Sequence, residues 1–90
     1  MRALYVLENV NQDTAAIDDF EGEELFILIL ANPSALANEF DGEMEALREK
    51  AILLARKVSM NGVKPRLLIE WGEREEVVRN ALEREKCVLI

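Results

Sequence analysis

Leu25-Phe26-Ile27-Leu28-Ile29-Leu30 is apolar at every position, and Ala31 lengthens the run to seven residues. A strand with one wet face alternates apolar and polar side chains, whereas a strand covered on both faces does not. Unbroken apolar character is therefore the mark of a central strand in a parallel or mixed sheet. Seven residues also fall far short of the ~18–20 that cross a bilayer, so no membrane span is expected. The rest of the chain can be arranged around this strand.

Upstream, Ala3 to Leu7 is short, apolar and β-compatible, and the polar stretch Glu8 to Gln12 closes it. Asp13 to Phe20 places Ala16, Ile17 and Phe20 within one helical turn behind a capping Asp13, which predicts one or two turns of helix. Downstream, Ala31 to Gly42 reads as loop, with Asn32-Pro33-Ser34 as its turn signal and Asp41 as a helix cap. From Glu43 to Met60, Met44, Leu47, Ala51, Leu54, Ala55 and Val58 share one helical stripe, and Asn61-Gly62 ends it as a left-handed cap. Ile52 falls at the edge of that stripe and Leu53 nearly opposite it. Val63 to Trp71 is a third strand closed by Gly72, Glu73 to Lys86 a second amphipathic helix, and Cys87 to Ile90 a fourth strand. Strands alternating with helices predict a layered α/β domain with right-handed crossovers. The segment between the first two strands is barely long enough for a parallel crossover. With no repeat, low-complexity tract or linker, residues 1–90 are expected to form one domain.

Composition excludes several classes of activity. The chain has 90 residues, 18 acidic and 11 basic side chains, and a net charge of −7. Leu, Ile, Val and Phe supply 29 of its residues, enough for a core although the domain is small. Histidine is absent, which removes serine-histidine and cysteine-histidine nucleophiles, histidine metal sites and the usual neutral-pH base. Cys87 is the only cysteine, so no internal disulfide can form. It begins an apolar strand and reads as a small core residue. Arg2 and the short apolar stretch behind it, broken by Glu8, do not make a secretory signal, and a cytoplasmic setting is expected. Residues 1–46 carry 11 acidic and 1 basic side chain, so nucleic acid is not an expected partner there. Residues 47–90 carry 10 basic and 7 acidic side chains, interleaved as on solvated helix faces.

From Glu23 onward the pattern resembles the universal stress protein family, whose members have an adenine-nucleotide-binding α/β fold. Gly72-Glu73-Arg74-Glu75-Glu76-Val77-Val78 is similar to the family's Gly-Asp-Pro-x-Glu-x-Ile turn into a helix. Cys87-Val88-Leu89-Ile90 stands where the family has Asp-Leu-Ile-Val, and Asn61-Gly62-Val63 resembles its Ala-Gly-Val helix exit. The resemblance implies a mostly parallel four-stranded, three-layer sheet of order 3-2-1-4, with helices on both faces. It also implies a ligand crevice between the first and fourth strands. Glu8-Asn9 occupies the place of the family's Asp-Gly, and the glycine-rich phosphate loop expected after the fourth strand is not in these residues.

Two functional expectations follow. The first is a non-catalytic interaction or regulatory module without a cofactor, a universal stress protein that has lost its phosphate loop. The alternative is an adenine-nucleotide sensor or weak ATPase in which Glu8, Asn9 and Asn32 hold ATP or AMP, with Ser34 nearby. Family members commonly dimerise through a neighbouring outer strand, and a bare apolar edge at Cys87, Val88, Leu89 and Ile90 needs cover. A homodimer through these residues is expected. Asp13, Asp18, Asp19, Glu21, Glu23 and Glu24 lack the spacing of a calcium loop and read as a solvated connector, with no metal expected. Trp71 is expected to cap the core.

Overall fold

The computed structural model describes residues 1–31 and 37–90, with the backbone alone at 37–41. The elements run β1 (Arg2–Leu7), α1 (Ala15–Asp18), β2 (Glu24–Ala31), α2 (Ala37–Met60), β3 (Lys64–Trp71), α3 (Arg74–Glu85) and β4 (Val88–Leu89). They build one sheet of order β3-β2-β1-β4. All three pairings are parallel, β1 with β2, β1 with β4 and β2 with β3. The expected three-layer α/β fold is therefore present, and the short crossover after β1 does bring β2 in parallel.

β2 is the strand that the Leu25–Leu30 run specifies. Strand geometry sends alternate side chains to opposite faces. Leu25, Ile27 and Ile29 join Ala3, Tyr5 and Leu7 of β1 beneath Ile17 of α1 and Leu47, Ala51, Leu54 and Val58 of α2. Phe26, Leu28 and Leu30 join Leu4 and Val6 beneath Val78 and Ala81 of α3. Each large side chain so covered contributes roughly 1.5–3 kcal/mol, which makes the two central strands the main source of stability.

α2 buries the stripe read from its sequence and ends as expected. Gly62 has φ +84°, its N–H donates to Ser59 O at 3.1 Å, and the Val63 N–H donates to Val58 O at 3.0 Å. These two bonds form a Schellman cap, and the two valines that flank it both enter the core. α3 ends in the same left-handed conformation, but at Lys86, with φ 52°.

The structure corrects four local expectations. α2 begins at Ala37, inside the segment read as loop, so Asp41 lies within the helix rather than at its cap. The helix runs through Gly42, a residue that local propensity disfavours there. α1 is one turn, within the one or two expected, since Asp19 to Glu23 returns the chain to the start of β2. Its N-cap is Thr14, whose side chain makes no capping hydrogen bond, rather than Asp13, which lies one residue earlier and accepts from the Ala15 N–H at 2.9 Å. β4 is confined to Val88 and Leu89. Trp71 is 54% exposed and does not cap the core; it lies on the outer strand β3, where it lines a groove with Met44 and Arg48 of α2.

Candidate functional site

The strand order reverses between β1 and β4, and ligands of open α/β sheets gather at the carboxyl ends of strands at such a point. β1 ends there in the loop from Glu8 to Thr14. The geometry of this loop comes from the sheet upward. Tyr5 shares a face with Ala3 and Leu7, so its ring is buried, and its hydroxyl must find a partner. It donates to Asp13 O at 2.8 Å and accepts from Gln12 Nε2 at 2.9 Å. The same amide nitrogen donates to Val6 O at 2.7 Å, while Gln12 Oε1 accepts from the Glu8 N–H at 2.9 Å. Burial, opposed by the Gln12 hydrogen bond and aided by the nearby Asp13 charge, holds the Tyr5 phenol above the ordinary tyrosine pKa.

The loop is fastened from outside as well. Lys50 of α2 donates to Val10 O at 2.5 Å and to Gln12 O at 2.9 Å. Asn9 Oδ1 accepts from the Asn11 N–H at 2.8 Å, and Asn9 O accepts from the Gln12 N–H at 3.1 Å, which makes a closed turn. Glu8 is paired with Arg74 at the start of α3, 3.1 Å away. Of the three residues expected to hold a nucleotide, Glu8 thus faces a cation and Asn9 braces its own turn. Asn32 lies outside the described residues, as do Pro33 and Ser34.

Gln12, Tyr5 and Lys50 were not among the residues that sequence reasoning singled out. One signal for them existed: a tyrosine on the inward face of a strand requires a polar partner within reach of its hydroxyl.

The acidic segment disperses into separate ion pairs. Asp18 meets Lys57, Glu23 lies 3.9 Å from the Met1 amino group, and Glu24 bridges Arg2 at 3.1 Å and Arg66 at 3.8 Å. Among the described residues no three cysteine, aspartate or glutamate side chains converge as a metal site would require. Among those residues, too, no helix is long and apolar enough to cross a membrane.

Two edges of the sheet carry exposed apolar side chains. At β4, Val88 and Leu89 pair with Ala3 and Leu4 of β1, and the Ile90 N–H donates to Leu4 O at 3.0 Å. Ile90 packs against the α2-side core, and Cys87 packs against the α3 side, where burial pushes its thiol above the usual pKa. Val88 and Leu89 remain about half exposed. β3 is four times as long as β4. Leu67 is 43% and Ile69 45% exposed, and beside them on α2 stand Ile52 and Met60. A groove between helix and strand links Ile52, Met60, Pro65 and Leu67, and a second links Met44, Arg48, Ile52 and Ile69. Sequence reading placed Leu67 and Ile69 at the centre of a strand, and the expected order 3-2-1-4 made that strand an outer one, but their exposure was not read from it.

No protein-family model, curated protein or solved structure matches the chain.

Proposed function

We propose that the protein is a small non-catalytic interaction module that works as a homodimer in the cytoplasm, a divergent relative of the universal stress proteins. The observation that carries this reading is the apolar band formed by Ile52 and Met60 of α2 with Leu67 and Ile69 of β3. Contiguous exposed apolar surface marks contact with another macromolecule more often than catalysis. The strand-end loop supports the same reading from the other direction. Its polar groups bond to one another, to Lys50 and to Arg74, so Glu8 and Asn9 are already occupied.

Equilibrium titration with ATP and with AMP, followed by the fluorescence of Trp71, tests the reading. No saturable change through the millimolar range is expected. Micromolar affinity for either nucleotide would overturn the module reading in favour of a nucleotide sensor.

A further inference from the structure

The outer edge of β3 has a defined polarity. The Lys64 N–H donates to Glu23 O at 2.9 Å, so Lys64 turns its backbone groups toward β2. Strand geometry repeats this at every second residue, which directs the backbone groups of Arg66, Leu68 and Glu70 to β2 as well. Pro65, Leu67 and Ile69 therefore face the open edge. Pro65 has no N–H to leave unpaired there, and this is the position in a sheet where proline fits. The open edge offers complete donor and acceptor pairs at Leu67 and Ile69.

The side chains of the strand are segregated. Leu67 and Ile69 lie on the α2 side beside Ile52. Arg66, Leu68 and Glu70 lie on the α3 side, where Glu70 binds Arg84 at 3.0 Å and Leu68 packs on the core. The basic residues Lys64 and Arg66 precede the acidic Glu70, so the strand is basic at one end and acidic at the other. In a chain of net charge −7 this strand carries a local +1.

From this edge we infer that the partner is a second copy of the chain, joined by antiparallel pairing of β3 with β3 about a two-fold axis through Leu68. This rests on the interaction-module reading and adds to it the occupant, the edge and the register. In this register Leu67 and Ile69 form hydrogen-bonded pairs with the partner's Ile69 and Leu67. Arg66 stands opposite the partner's Glu70 in a non-hydrogen-bonded pair, where side chains approach most closely. A register centred on Leu67 would instead place Arg66 opposite the partner's Leu68, where its charge gains no partner. Pairing centred on Leu68 brings the Ile52, Leu67 and Ile69 side chains of both copies onto one face, and two four-stranded sheets become one.

Sedimentation equilibrium from micromolar to high-micromolar concentration tests this, with far-UV circular dichroism and urea unfolding as checks that each variant is folded. The wild type is expected to dimerise. Arg66→Glu and Glu70→Arg each set like charges across the axis twice and are expected to raise the dimer Kd about tenfold or more. The double variant carrying both restores opposite charges and is expected to return to within about threefold of wild type. Val88→Lys with Leu89→Lys is expected to leave the dimer intact. A monomeric wild type overturns the inference, as does a double variant that stays dissociated. Dissociation by the Val88 and Leu89 substitutions, with none by those at Arg66 and Glu70, moves the contact to β4 and also overturns it. None of these outcomes depends on the nucleotide titration, so failure of the register is separable from failure of the module reading.

Discussion

Arg74 Nε lies 3.1 Å from Glu8 Oε1, joining the first turn of α3 to the carboxyl end of β1. Both side chains are about half exposed, so solvent screens the pair and its worth is small, about 0.2–1 kcal/mol. A double-mutant cycle with Glu8→Gln and Arg74→Gln, read by urea unfolding, is expected to return a coupling in that range. The coupling should shrink at molar salt, where the screening length falls to about 3 Å. A coupling that salt does not change would show that the two residues communicate by packing rather than charge.

Gln12 is the centre of the strand-end loop, since one side chain satisfies the Tyr5 hydroxyl, Val6 O and the Glu8 N–H. Its replacement by alanine leaves partly buried groups without partners and is expected to cost about 1–3 kcal/mol. Asn9→Ala removes a single exposed bond within the turn and should cost less than about 1 kcal/mol. Urea midpoints of the two variants provide the comparison, and equal losses would count against the role assigned to Gln12.

The raised pKa of Tyr5 gives stability a definite dependence on alkaline pH. The folded protein holds the phenolic proton more tightly than the unfolded chain does, because burial disfavours the phenolate. The contribution is therefore complete below the unfolded value of about 10 and is lost as pH rises from there through the folded pKa. Unfolding free energies measured at neutral pH and at steps above pH 10 are expected to fall, and Tyr5→Phe should flatten that decline. Phenolate absorbance should titrate at higher pH in the folded protein than in urea.

Two helix ends adopt the same left-handed turn with different residues. Gly62→Ala adds a Cβ at φ +84° and is expected to cost about 1–2 kcal/mol. Lys86→Gly removes a Cβ at φ 52° and is expected to stabilise by about 0.5–1 kcal/mol. Thermal or urea unfolding of the pair should show opposite signs.

The sequence was most informative where a single element determines its own environment. An all-apolar β2 can only be central, and the 3.6-residue stripe from Met44 to Val58 can only face the sheet. Gly62 could be read because helix termination is local chemistry. The start of α2 at Ala37 could not, since Gly42 and the turn residues before it argue locally for a loop. The outer place of β3 followed only from the resemblance's strand order, and the exposure of Leu67, Ile69 and Trp71 was not drawn from it. Hydrophobicity shows that a segment is a strand, but strand order decides which one is outermost. Glu8 and Asn9 were placed at the end of β1, but their partners there, Arg74 and Asn11, were not legible in the sequence. The closure of the loop by Gln12 and Lys50 depends on side chains converging from elements far apart in sequence.

The position of Leu25–Ala31 at the middle of the sheet also governs what happens whenever the chain opens. In the native protein this segment is shielded by β1 and β3 at its edges and by helices above and below. Unfolded, it is an uncharged, proline-free β-former of the kind that stacks between chains. Refolding is therefore expected to compete with aggregation nucleated at this one short stretch, and mutual repulsion between copies of net charge −7 acts against that competitor.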